Sequence, residues 1–205
     1  MQRVLPVYRK ATVGEQALEG AEHLGFACNG CGDCCRKYRV ALTHRDLARL
    51  VAALGVSAGS LVAWLEPAQV ELAAESAGMV VLPAGPRLMA LAHDSGGCRL
   101  LDSDRSCRAY DARPLDCRMY PFVVERNEGV ARLSLFEPEA CGDRRDLPLA
   151  WQEVNAADRE RWAEVEAYRR HVARWNQLAR HRERLRHPAQ GELEFFAFLA
   201  ARSAG

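Results

Sequence analysis

The sequence is short of lysine, of net charge and of long apolar runs. Lys10 and Lys37 are its only lysines, and 28 basic residues against 27 acidic ones leave a formal net charge of +1. So even a balance gives no field strong enough to nominate a nucleic-acid or membrane partner on charge alone. No stretch of about 18 apolar residues occurs, which excludes a spanning helix. The opening Met1 to Gln16 carries a proline and charges where a signal peptide needs an apolar segment, so the expected location is the cytoplasm. Repeats of 20 to 50 residues are absent, and with them solenoid architectures. A G-x-G-x-x-G after a strand, a HExxH helix, a serine elbow and the C-x3-C-x2-C spacing of radical SAM enzymes are all missing, which removes the commonest catalytic signatures. With 49% hydrophobic and 27% charged residues over 205 positions, the chain is an ordinary globular one and reads as a single domain.

What is present in unusual form is cysteine. Cys28, Cys31, Cys34 and Cys35 fall within eight residues, and Cys98, Cys107, Cys117 and Cys141 follow at wide intervals. In a reducing compartment such crowding points to metal ligation or redox chemistry rather than to disulfides. Thiols at intervals of three, with Gly30 and Gly32 supplying backbone freedom, can be aimed at one centre by a tight turn. Zinc and iron–sulfur clusters both accept four thiolates. A dithiol redox pair at Cys31 and Cys34 lacks the βαβ setting of that motif. A zinc ribbon lacks its second C-x2-C pair, the downstream gaps being 8, 9 and 23 residues. His93, close to Cys98, is an alternative ligand ranked behind the cysteines. Adjacent side chains diverge on strands and helices alike, so Cys34 and Cys35 are expected to serve different surroundings. The favoured partition is two centres: Cys28, Cys31 and Cys34 with Cys117, and Cys35 with the rest. A single centre is the alternative.

The remaining pattern is mixed. Thr43-His44-Arg45-Asp46 reads as a capping box opening a helix with Leu47, Leu50, Val51 and Leu54 on one face, ending at Gly55. A second helix is expected from Ser57 or Ala58 to Glu66, stopped by Pro67. Met79 to Leu82, Arg87 to Ala92, Phe122 to Glu125 and Val130 to Phe136 read as short strands, the last two flanking a hairpin turn. A weak extended signal covers Val4 to Tyr8, and Arg113-Pro114 opens a short helix with proline at its first position. From Asn155 onward Trp162, Val165, Tyr168, Val172, Trp175 and Leu178 keep helical spacing, and after Gly191 a last helix carries Leu193, Phe196 and Leu199. His23 and His44 are expected at the surface, Tyr110 and Tyr120 as packing aromatics, and the basic run Arg180 to His187 as a solvated helix end. The fold class is α+β: a small antiparallel sheet and a cysteine-ligated core, residues 26–141, flanked by helices, with a C-terminal helical extension, 150–205, packed on the core.

The segments Phe26-Ala27-Cys28-Asn29-Gly30-Cys31-Gly32-Asp33-Cys34-Cys35-Arg36, Cys98-Arg99-Leu100-Leu101, Cys107-Arg108-Ala109-Tyr110, Arg113-Pro114-Leu115-Asp116-Cys117 and Tyr120-Pro121-Phe122 resemble the CxxCxxCC, or YkgJ-type, cysteine-cluster family. The resemblance runs from Phe26 to Cys141. It implies zinc or iron chelation, or an iron–sulfur cluster, with [4Fe–4S] the favoured cluster type, and one or two centres on the eight cysteines. In the matching segment Arg113 is a candidate to offset the charge of a thiolate centre; the alternative is a structural pairing with Asp111 or Asp116. A flagellin lysine N-methylase carries a related domain, but no second catalytic domain is visible here. The leading functional reading is a cytoplasmic metal-binding protein with a structural, metal-handling or electron-transfer role and metal ions as its partners. An iron–sulfur oxidoreductase or methylase-related enzyme comes second. A zinc-dependent adaptor for nucleic acid or protein, resting on the basic helix end alone, comes third, and nucleic acid is disfavoured.

Overall fold

A computed structural model describes residues 3–4, 30–70, 78–127, 130–135 and 151–203. Cys28, Cys141, His23 and most of the expected N-terminal extended segment lie outside the described residues. Helix α1 (Asp33–Lys37) leads into strand β2 (Tyr38–Arg39), which pairs in parallel with β1 (Arg3–Val4). The capping box then starts α2 (His44–Leu54) as expected: the Thr43 hydroxyl accepts from Asp46 N at 3.1 Å and the Asp46 carboxylate accepts from Thr43 N at 2.9 Å. Each satisfies a donor that the first turn would leave orphaned. Gly55, with φ 65°, ends the helix in the left-handed region.

His44 corrects the sequence reading. It is buried, stacked on Tyr168 and edge-on to His171. Its position three residues before Leu47, itself three before Leu50, puts all of them on one helix face. The helix expected over 57–66 is a second correction. Only Ala58–Leu61 is helical (α3), and Val62–Leu65 forms β3. Val62 and Trp64 suit a pleated surface, and the partner strand is available, so tertiary pairing decides.

That partner is β5 (Gly85–Leu91), the centre of a three-stranded antiparallel sheet of order β3-β5-β4, where β4 is Val80–Leu82. The register sets Val62 opposite Leu91 and Val80 opposite Arg87. Residues 40–42 run along β5 as well: Leu91 N donates to Val40 O at 2.7 Å and Leu42 N to Met89 O at 2.9 Å. Leu88, Met89, Ala90 and Leu91 are all buried, the continuous apolar run of a strand covered on both faces. A small hairpin follows, β6 (His93–Asp94) with β7 (Gly97–Cys98), and then α4 (Leu115–Met119) and the hairpin of β8 (Phe122–Asn127) with β9 (Val130–Leu135). Pro114 caps α4 rather than occupying its first position.

The chain closes with α5 (Trp151–Arg184) and α6 (Glu192–Ser203). Val165, Tyr168, Val172 and Trp175 of α5 are buried, the last three in one cluster with Tyr38, Leu50 and Leu91. On α6 the buried residues are Phe195 and Leu199, while Leu193, expected in the apolar stripe, is 78% exposed. Polar contacts fix the docking. Trp175 Nε1 donates to Val81 O, Asn176 Oδ1 accepts from Val81 N and Asn176 Nδ2 donates to Met79 O, each at 2.8 Å. Helix α5 thus satisfies backbone groups along β4.

Two charged knots bind α5 to the rest. Arg49 bridges Asp46 and Glu164, at 2.5 and 2.6 Å, and Asp46 also accepts from Leu115 N at 3.0 Å. Arg161 pairs with Asp116 and lies 3.6 Å from Asp158. The carboxylates are almost fully buried, and α4 is gripped by both knots.

Candidate metal centre

Three local devices bring the cysteines together. Gly32, at φ 72°, turns the chain into α1, and a Cβ there would meet Leu101 at 3.1 Å. Gly97, at φ 117°, lets β7 approach the back of α1: an added Cβ would lie 2.9 Å from Cys35 O and 3.0 Å from Arg36 Cα. Both positions require glycine, for conformation and for space. The turn between Leu101 and Cys107, which face each other as a β-bridge, returns the chain beside β7. The third device is the pair of charged knots, which sets α4 so that Cys117 faces the others while Asp116 faces α5.

The result is a cavity of about 410 Å³ lined by Cys34, Cys35, Cys98, Cys107, Cys117 and His93, with apolar walls from Tyr38, Val40, Leu91 and Leu100. Arg105, Ser106 and Tyr110, all exposed, form its mouth together with the half-buried Arg113. Cys31, half-buried, is not among the lining residues. Cys34 Sγ and Cys35 Sγ stand 3.9 Å apart, close to the roughly 3.8 Å edge of a tetrahedron with 2.3 Å metal–sulfur bonds. The divergence expected of neighbouring cysteines therefore does not separate them. The sulfur lies one rotatable bond beyond Cβ, so the roughly 100° between neighbouring Cα–Cβ directions on a helix does not fix where it points, and both thiols line one cavity. Among the described residues no three Cys, His, Asp or Glu side chains stand close enough to grip one ion between them. The thiols surround a space rather than a point.

Electrostatics tie them into one group. Burial pushes the Cys98 thiol up to about 11, with Cys107 and Cys34 adding to the effect. Cys117 is raised well above the thiol range by burial, then by Cys98 and Cys34. Cys34 is raised by its hydrogen bond with Cys35, then by burial. These are neutral thiols that become charged when a metal displaces their protons. Soft sulfur donors suit zinc, copper(I) and iron–sulfur clusters. His93 has both ring nitrogens buried without a hydrogen-bond partner, and burial holds its imidazole at about 4, neutral and able to ligate. Asp111 and Asp116 do not hold Arg113, whose Nε donates to Tyr110 O at 2.7 Å and whose guanidinium lies 3.6 Å over the Tyr110 ring. Tyr110 is accordingly exposed, not packed, while Tyr120 lies against Tyr38 with ring centroids 5.8 Å apart. The Asp46, Arg49 and Glu164 knot carried no motif in the sequence.

Five thiols wall a cavity at the junction of short, glycine-shaped elements, a donor set of the kind that soft metals take. The chain belongs to the CxxCxxCC family, described as a zinc- or iron-chelating domain, which matches residues 27–142. No curated protein and no solved structure matches it. Among the described residues no helix is long and apolar enough to cross a membrane.

Proposed function

We propose that this chain takes up and holds a metal centre in the cavity of Cys34, Cys98, Cys107 and Cys117, with Cys35 and His93 as neighbouring donors, and that it handles that metal as well as being tied together by it. The observation that carries the reading is the shape of the thiol cavity. A structural zinc site is closed around one ion at about 2.3 Å from sulfur, whereas these thiols surround about 410 Å³ whose mouth is made of exposed residues. That volume favours a polynuclear occupant, an iron–sulfur cluster on four cysteines, over a lone zinc ion. This reading takes one centre, since Cys34 and Cys35 line the same cavity; Cys28 and Cys141, which the two-centre partition also uses, lie outside the described residues. Arg113 at the mouth supplies positive charge toward thiolates.

Anaerobic purification with iron, zinc and acid-labile sulfide assays tests this. The expected result is brown protein with iron and sulfide in equal amounts, lost in Cys117→Ser and in Cys34→Ser. Colourless protein carrying zinc would replace the cluster by a mononuclear site. Full metal retention in both variants would move the centre away from this cavity.

A further inference from the structure

Four arginines are held by carboxylates, and others, such as Arg99 and Arg108, by backbone carbonyls. Arg36 is held by Asp33 and Cys31 O, Arg49 by Asp46 and Glu164, Arg87 by Glu66 and Arg161 by Asp116. Two arginines stand at the mouth of the thiol cavity. Arg105 and Arg113 both line it, neither forms a close ion pair with a carboxylate among the described residues, Arg105 acting on Asp33 only through the longer-range field, and no carboxylate is among the lining residues described. Arg113 is nonetheless oriented: the Tyr110 carbonyl takes its Nε–H and the Tyr110 ring supports its face. Its terminal N–H groups stay uncommitted, which leaves the donors that bind a carboxylate in bidentate fashion. Arg105 is held at φ 70° by a turn in which its N–H donates to Asp102 O at 3.0 Å. That backbone region favours glycine, and a long cationic side chain is retained in it at a cost in stability.

We infer that Arg105 and Arg113 form an anion subsite at the mouth, and that the metal reaches the thiols as an anionic small-molecule chelate, a di- or tricarboxylate complex, rather than as a bare hydrated cation. The inference rests on the metal-handling reading and names the form of its cargo. Two guanidiniums repel an aquo-cation and attract a complex with surplus carboxylates. Transfer is ligand exchange. The step covers the arrival of one divalent ion: each of its metal–oxygen bonds to the carrier is replaced by a metal–sulfur bond, each thiol gives its proton to the solvent or the departing carboxylate, and no electron changes hands; the inorganic sulfide of a cluster is delivered separately, after this step. The freed carrier leaves through the mouth by which it came.

The test uses the full metal-free chain with citrate as the anion and cobalt(II) as a reporter, whose bonds to thiolate absorb in the near ultraviolet. Citrate alone should bind the wild type by calorimetry, with affinity that falls as salt is raised. Arg105→Gly and Arg113→Gln should each weaken it about tenfold. In stopped flow, uptake from cobalt–citrate should slow about tenfold in Arg105→Gly while uptake from aquo-cobalt does not slow. Arg105→Gly should also melt no lower than wild type, since glycine relieves the left-handed backbone; a lower melting point would make Arg105 a structural residue and overturn its role. No citrate binding by wild type, or equal uptake rates from cobalt–citrate in wild type and variant, would overturn the inference. A chain that takes up cobalt from neither form fails the metal reading instead, and the citrate isotherm still decides the subsite.

Discussion

Asp116 and Cys117 are neighbours on α4, yet they belong to regions built on opposite rules. On the α5 side, Asp116 joins a buried layer in which Arg161, Arg49, Asp46 and Glu164 are tied in ion pairs and Asp46 also caps two chain segments. On the other side, Cys117 faces a cavity where its own thiol and those of Cys98 and Cys34 are pushed up toward the neutral form and two arginines line the mouth without a close ion pair. The first region commits its polar groups to one another and fixes geometry. The second leaves them for something that arrives from outside. One short helix anchored in the committed layer presents a ligand to the uncommitted one, so rigidity in the first should be a condition of binding in the second.

Three experiments press on that contrast, and the largest effect belongs to the metal. Loops of 62, 8 and 9 residues separate Cys35, Cys98, Cys107 and Cys117, and a shared centre would tie them all. Chelation of the loaded protein should lower the melting temperature by about 10 °C or more, at roughly 2–4 °C per kcal/mol for a chain of this size. A metal-free protein melting with the loaded one would show that the cavity plays no part in stability.

Next comes the committed layer. Asp46→Ala leaves Arg49 half-paired, removes the half of the α2 capping box that accepts from Thr43 N and frees the Leu115 N–H. Loss of about 3–5 kcal/mol in urea unfolding is expected, with weakened metal retention because α4 loses one grip. Retention at wild-type strength would mean that α4 is positioned by Arg161 alone.

The smallest effect is a pH dependence. His44 is held at about 4, against its ordinary 6.5, by burial, then by His171 and Arg45, with Glu164 opposing and Arg49 adding. The unfolded chain therefore binds this proton more readily, so the stability is complete above pH 6.5 and lost as pH falls toward 4. His44→Phe should reduce the loss between pH 7 and 4.5 by on the order of 1–2 kcal/mol, a figure reduced for solvent screening. Because both proteins lose thiolate binding alike in acid, the difference between the two chains isolates His44. Identical losses would place the proton elsewhere.

The sequence patterns that proved legible are those set by near neighbours. The Thr43 to Asp46 box, the β4 and β5 strands, the β8–β9 hairpin and the α5 stripe are written within a few residues, and the cysteine segments marked the family. What stayed hidden depends on distant partners. Val62 to Leu65 reads equally well as the end of a helix until β5 is placed beside it. His44 looks like a surface residue until α5 covers it, and Phe195 rather than Leu193 is the α6 residue that α5 selects, through the Trp175 ring 5.1 Å away. Nothing in the spacing of Asp46, Arg49, Leu115 and Glu164 announces that they meet. The convergence of Cys34 and Cys35 was missed for a different reason: backbone direction was treated as if it fixed the sulfur, one rotatable bond further out.

Asn176 has a consequence beyond docking α5. Its amide accepts from Val81 N and donates to Met79 O, while Trp175 occupies Val81 O. Two side chains of a helix thereby perform what a fourth strand would do for this stretch of β4, and they do it with groups that have no further strand behind them. The sheet ends here because its hydrogen-bonding valence is exhausted, so a second copy of the chain finds nothing at Val81 with which to extend it.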